Sequence, residues 1–437
     1  MRAGAWNENV RIDNDLTIIG GYGGGETVIS GDTDGDGIGD GTVVTIDYAD
    51  VVMTGLTITG GNDDIYRYGI AKPEPVEASG GGITNRGGTL TLNDVTVTGN
   101  SAYQGGGIYN DHGTVILNSG TSIADNNPGF TARGEYGTSD SGQGGGVYND
   151  HGTVIMNGDS SISGNTDSGI YNNGGTVSMH DSSSVSDNAN DYYGGGVYNR
   201  GGTLNMYDSA SISGNWARYY GGGVYNTEGG TFVMNGESTI AGNNADEDGG
   251  GVYTQSSMFV MNGRSSISDN TGTFGGGVYN GGGGTMNMND DSSVTHNTAT
   301  NGGGVYNDIG STLNTNDDSS ITDNSPIQNG GGIFNRMGIV NMNDWSSISD
   351  NNATFFGGGV LNSGGTVTMN DQSSITGNMV TRQGGGIYNS CGIVNMNDGA
   401  AISGNAATSG GGILNFGGTL NLDPSAVFDN TPNNIVG

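Results

Sequence analysis

The chain has 437 residues, with 90 glycines against 6 prolines and 44 acidic side chains against 11 basic ones, for a net charge of −33. Without a strict three-residue glycine period and abundant proline it is not collagen, and Gly, Asn, Asp, Ser and Thr around short β-branched runs point to an all-β chain. So acidic a surface, with Lys72 as its one lysine, excludes a protein that tracks nucleic acid, repels an anionic membrane and suits a saline or calcium-containing exterior.

Strand-like runs begin at once, at Val10–Ile12, Leu16–Ile19 and residues 27–29, with no polar cap ahead of them. Residues 1–6 lack the charged-then-apolar pattern of a signal peptide. Together these features predict that further residues precede this start in an exported protein. No apolar run reaches the roughly 18 residues that span a bilayer. The stretch DTDGDGIGD sets Asp32, Asp34, Asp36 and Asp40 at loop positions 1, 3, 5 and 9, with glycine at 6. Position 12 is Val43, not the bidentate acid of an EF-hand. A structural Ca2+ loop of the extracellular type is expected, the alternative being a solvated acidic loop. Residues 1–79 are therefore read as N-terminal coils carrying this loop and an insertion at 62–79.

From Gly80 onward GGG, then Val or Ile, then usually Tyr and Asn, recurs with its last position at 85, 110, 149, 172, 199, 226, 254, 280, 307, 335, 362, 389 and 415. The usual step is 25 to 28 residues. A second run follows in each unit, such as TVIMN at 153–157, with the apolar–polar alternation of a strand. A third places an aliphatic residue three before an asparagine, as Ile162 before Asn165 and Ile375 before Asn378. Three short strands per unit predict a three-sided coil, and residues 80–437 continue the first 79 as one single-stranded, right-handed parallel β-helix. About 15 coils at a spacing of roughly 4.8 Å make a rod on the order of 70 Å long. Val147, Val197, Val224 and Val278, Val154 and Met156, Val367 and Met369, and Ile162 and Ile375 should point inward. The methionines fill the core and are not a cofactor box.

Asparagines close each strand, and a buried amide donates to and accepts from its equivalents in the neighbouring coils. Three ladders are expected. One runs through Asn199, Asn226, Asn280 and Asn307, a second through Asn235, Asn262, Asn289 and Asn316, and a third through Asn215, Asn243, Asn270 and Asn297. His180 and His296 are read as ladder substitutes for asparagine.

The pairing of a GG(G)(V/I) strand with an (I/V)xxN turn resembles the repeats of chlamydial polymorphic outer membrane proteins, whose motifs are GGAI-like and FxxN; here Ile or Val stands for Phe. The chain also resembles the wider class of right-handed β-helix repeat proteins, related in shape to pectate lyases and bacterial adhesins, and AGAWNENVRI with DLTIIGGYGGGETVISG looks like their first coils. The resemblance implies export, an extracellular or cell-surface location, and residues ahead of this start. An autotransporter barrel or cell-wall anchor is not expected within these residues, since the last repeat runs to within a few residues of Gly437.

No catalytic motif is recognised. There is no RxPxxR stretch of the pectate-lyase kind, and of the NTD, DD, GHG and RIK segments of polygalacturonase-like enzymes only bare DD pairs occur, at 63–64, 290–291 and 317–318. Asp290, Asp317, Asp344, Asp371 and Asp398 share one repeat position and read as turn-capping residues whose mutual repulsion calls for salt or calcium. Asp111–His112 and Asp150–His151 recur as NDHG, which would bring two imidazoles together; turn reuse is preferred to a transition-metal site. Cys391, the one cysteine, has no internal disulfide partner and is read as a stray turn thiol.

The segment between each xxN turn and the next GGG varies in length and content, and variation marks the face free to change. It carries Tyr103, Tyr192, Tyr193, Trp216, Tyr219, Tyr220, Phe274, Phe355 and Phe356, and insertions at 62–79 and 127–143. Beside it the outward residues Tyr109, Tyr148, Tyr171, Tyr198, Tyr225, Tyr279, Tyr306 and Tyr388 should stack, as sheet stabilisers or as a platform for sugars or a protein. The leading expectation is a non-enzymatic, adhesin-like rod that binds a glycan or protein along this edge. The alternatives are a polysaccharide-active enzyme and a purely structural surface-layer element.

Overall fold

The computed structural model describes all of the chain except residues 38, 64–65, 68–69, 72–79, 128–142 and 398. The insertions expected at 62–79 and 127–143 lie largely outside the described residues, as do Lys72 and Asp398. The described chain is almost entirely β, with about 14 turns of parallel β-solenoid and one short 3-10 segment at Pro424–Ala426. It falls into two compact units, Met1–Trp216 and Ala217–Gly437.

In the first unit Ile83–Arg86, Ile108–Asp111, Val147–Asp150, Ile170–Asn173 and Val197–Arg200 stack in parallel, residue for residue. Second strands such as Thr153–Met156 and third strands such as Ser161–Ser163 make their own columns. The opening strands Val10–Ile12 and Leu16–Ile19 form where expected, and residues 27–29 lie within the longer strand Tyr22–Ser30. A further strand, Arg2–Asn7, pairs with it. The second unit repeats the plan from Val224–Thr227 and Val252–Gln255 through Ile387–Ser390 and Ile413–Phe416.

Second strands alternate half-buried and buried residues with period two, so one side of each lines the core. All of the inward residues named from the sequence, from Val147 to Ile375, are fully buried. The Phe232 and Phe259 rings stack inside the second unit at 4.7 Å. The GGG motif has a steric cause. At Gly221 φ is +67°, and a Cβ there would stand 2.5 Å from the Val224 carbonyl oxygen. On Gly222 it would meet the Gly250 oxygen at 2.5 Å, so the corner closes only without side chains.

The asparagine ladders are present. Asn85, Asn110, Asn149, Asn172 and Asn199 are joined amide to amide at 2.7–2.9 Å. The second unit continues this pattern from Asn280 through Asn307, Asn335, Asn362 and Asn389 to Asn415. Thr254 interrupts the row, its hydroxyl accepting from Asn226 at 3.4 Å. In the third ladder each Oδ1 accepts both the amide and the backbone N–H of the asparagine before it, as Asn270 does from Asn243 at 3.0 and 2.9 Å. Asn188 bonds Asn215 in the same way, and Asn270 bonds Asn297. The second ladder is half-buried and runs the other way, Asn262 donating to Asn235 and Asn289 to Asn262.

His180 does occupy the second ladder's column, stacked on Tyr207 at 4.7 Å. His296 does not substitute for asparagine. It precedes the ladder residue Asn297 at φ +56°, the left-handed position that Asp269, Asp323 and Asp350 hold in neighbouring coils. Its place is set by turn conformation, which tolerates His as it tolerates Asp.

Candidate functional site

The variable segment reaches the next GGG through pairs of bulky residues with divided tasks. The second of each pair folds back over the outward rings of the first strand: Tyr193 meets Tyr198 edge-on at 6.4 Å, and Tyr220 stacks on Tyr253 at 4.7 Å. Phe356 tilts onto Tyr388 at 4.6 Å, and Phe274, which follows Thr273 and has no bulky residue before it, tilts onto Tyr306 at 5.2 Å. The first of each pair is exposed at Tyr192 and half-buried at Tyr219 and Phe355. Tyr192 is 39% exposed, Tyr219 lies under the Arg218 guanidinium at 5.6 Å, and Phe355 under that of Arg382 at 4.6 Å. Tyr103 and Trp216 are half-buried in their own segments, and the backbone N–H of Trp216 donates to the Asn188 carbonyl.

Much of the tyrosine column is buried and is not an open platform. Tyr109, Tyr148 and Tyr171 stack at 5.4 and 5.0 Å with 4–5% exposure. Tyr225, Tyr253, Tyr279, Tyr306 and Phe334 form a second run at 4.6–5.3 Å. Tyr253 and Phe334 join the column although the motif changes beside them, and Leu361 interrupts it ahead of Tyr388. The Tyr279 hydroxyl donates to Asp308 Oδ2 at 2.8 Å, and Arg336 stands 3.5 Å from Oδ1. Burial first, then this carboxylate, pushes the Tyr279 phenol far above its ordinary value. Close by, burial and the Glu247 charge raise Asp248 to about 7.

Of the four aspartates in the N-terminal loop, Asp32, Asp34 and Asp40 offer carboxylate oxygens within 4.8 Å of one another; Asp36 is not among them. Backbone N–H groups of Gly35 and Gly37 donate to Asp32, and those of Asp36 and Thr33 to Asp34 and Asp40. These are hard oxygen donors of the kind calcium takes, and they number three of the six to eight oxygens that such an ion requires.

The aspartate column caps turns across coils. Asp290, Asp317, Asp344 and Asp371 all have φ of 53–55°. Asp317 Oδ2 accepts the Asp290 N–H at 3.1 Å, and Asp344 Oδ2 that of Asp317 at 3.3 Å. His112 and His151 stack at 5.4 Å, but each Nδ1 faces its own neighbour, Asp111 at 2.5 Å and Asp150 at 2.7 Å. That hydrogen bond raises the His112 pKa. Both histidines sit at φ near +55°, and the ring of His151 lies over Gly174 of the next coil, so turn geometry accounts for the pair.

The family model of the Chlamydia polymorphic membrane protein repeat matches residues 94–111, which hold one xxN turn, one variable segment and one GGGIYN strand. No curated protein and no solved structure matches the chain. No helix among the described residues is long and apolar enough to cross a membrane.

Proposed function

We propose that this chain, a β-helix repeat protein resembling the Chlamydia polymorphic membrane protein repeats, is an exported, adhesin-like surface protein that contacts a glycan or another protein through its variable edge. The observation that carries the reading is the division of the edge aromatics. One ring of each pair packs on the tyrosine column, and its neighbour, Tyr192, Tyr219 or Phe355, keeps part of its ring accessible at the surface. Rigid, half-exposed rings offer contact area at low entropic cost. The Asp32, Asp34 and Asp40 loop would bind Ca2+ structurally, tying the opening coils.

The test is a glycan array and polysaccharide pull-down in calcium, scoring both retained ligand and released sugar ends. Retention lost in the Trp216→Ala, Tyr219→Ala double variant at unchanged melting temperature supports an adhesin-like edge. Cleavage would replace this reading with an enzyme, and absence of any ligand would favour a structural element.

A further inference from the structure

In the second unit, charge is distributed unevenly around the coil. Between the left-handed corner at Ser256, Gly282, Gly310, Met337, Gly364 and Cys391 and the second-ladder asparagine that follows each, six successive coils contain no Asp, Glu, Lys or Arg. The chain does stack like charges where it has a use for them, since Asp290, Asp317, Asp344 and Asp371 stand one above another at the next turn. The repeat therefore does not by itself forbid charge on the second-strand face.

Two outward columns make this face. The first is Met258, Thr285, Thr312, Ile339, Thr366 and Ile393, in register, with Met258, Ile339 and Ile393 41–47% exposed. The second contains Asn287, Asn314 and Asn341, joined at 2.8 and 2.9 Å. Asn314 spends one N–H and one lone pair on the row, Asn287 a lone pair and Asn341 an N–H, so an amide has donor and acceptor capacity beyond the row. Apolar side chains continue onto the corner, where Met337 is 57% exposed, and three coils further on Phe416, at the end of its first strand, is 64% exposed. On the opposite margin Trp345, at 65%, stands where neighbouring coils have Asp318 and Gln372.

We propose that this face binds a neutral, extended polysaccharide. Apolar and aromatic groups match the CH faces of sugar rings, and a straight row of amides at the strand spacing offers donors and acceptors at a constant interval. A polymer presenting like groups at regular steps engages such a row repeatedly, which an irregular protein surface does not. Neutrality follows from the flanking aspartate column, which repels polyanions. This proposal is independent of the variable edge.

The experiment is depletion of the full chain from solution by microcrystalline cellulose and by chitin, with immobilised polygalacturonate as the anionic comparison. Retention is expected on at least one neutral polymer and not on polygalacturonate. Trp345→Ala and the double variant Thr312→Asp, Thr366→Asp should each lower retention at least tenfold, with melting temperature and circular dichroism unchanged. Ser349→Asp, on the third-strand face, should bind as the parent does. No retention on either neutral polymer, a preference for polygalacturonate, or equal retention by the Trp345→Ala variant would overturn the proposal. If the Asp variants fail to fold, Trp345→Ala alone decides.

Discussion

A small buried residue precedes most third strands: Thr121, Ser160, Ser183 and Ala210 in the first unit, and Ser238, Ser265, Ser292, Ser319, Ser346, Ser373 and Ala400 in the second. The hydroxyls of Ser265 and Ser292 have no hydrogen-bond partner, and the alanines at this position show that a methyl fits. Ser292→Ala should therefore stabilise the protein by about 1 kcal/mol, since an unsatisfied buried hydroxyl costs roughly that much or more. A lower denaturation midpoint for the variant would refute this. Asp167 carries a larger penalty. Burial raises its pKa to about 7 although Ser168 N–H and Asn190 Nδ2 donate to it at 2.6 and 2.7 Å. Its folded-state pKa lies above the unfolded value, so the folded protein binds the extra proton, and Asp167 makes stability fall as pH rises from about 4 to about 7. Asp167→Asn keeps the acceptor and should gain on the order of 2–4 kcal/mol at pH 8 and almost nothing at pH 4. Equal gains at both pH values in urea titrations would reject the assignment. Neither effect was legible in the sequence: serine and aspartate are usual turn residues, and only the packed coil distinguishes a buried from a wetted one.

The ladders and the tyrosine column stabilise by repetition of one contact per coil. Asn307 illustrates the demand: its amide donates to Asn335 at 2.9 Å and to the Ile339 carbonyl at 3.0 Å, while its Oδ1 accepts from Asn280. Asn307→Leu strands buried partners on both sides and should cost about 3 kcal/mol or more. Hydrogen exchange should show protection lost first in Val305–Asn307 and the strands stacked on it; unchanged protection would mean that the amides are dispensable. Tyr279→Phe removes the donor to Asp308 and should cost about 1–2 kcal/mol, measured by chemical denaturation. The ladders could be read in advance because an amide repeated at one step has few other uses. The burial of the tyrosines could not, because their cover comes from segments that repeat neither in length nor in sequence. Trp345 was hidden for the opposite reason: it is one departure inside a constant turn, and only its exposure marks it.

Across the whole molecule a net charge of −33 works against the packed coils. Self-repulsion at that charge falls as counterions screen it. Raising NaCl from about 0.02 to about 0.5 M, through which the screening length shortens severalfold, should raise the melting temperature by several degrees. Calcium at millimolar level should add a further rise, abolished when Asp32 and Asp40 are both changed to Asn. A melting curve indifferent to salt and chelator alike would remove both ideas. The class of fold followed from the repeat step, since short alternating runs closed by Asn and Gly have one common way to bury their apolar sides.

The opposed directions of the amide ladders have a consequence for growth. In the second unit Asn280 donates forward to Asn307, and Asn243 forward to Asn270, whereas Asn262 donates backward to Asn235, and Asn314 backward to Asn287. Each row is a string of aligned dipoles, and an α-helix shows what happens when all such strings agree: charge accumulates at the two ends. Here two strings oppose two others, so their poles largely cancel. Adding or deleting a coil leaves the side-chain polarity of either end almost as it was. A sequence built by duplicating one repeat can thus vary its length without charging its tips.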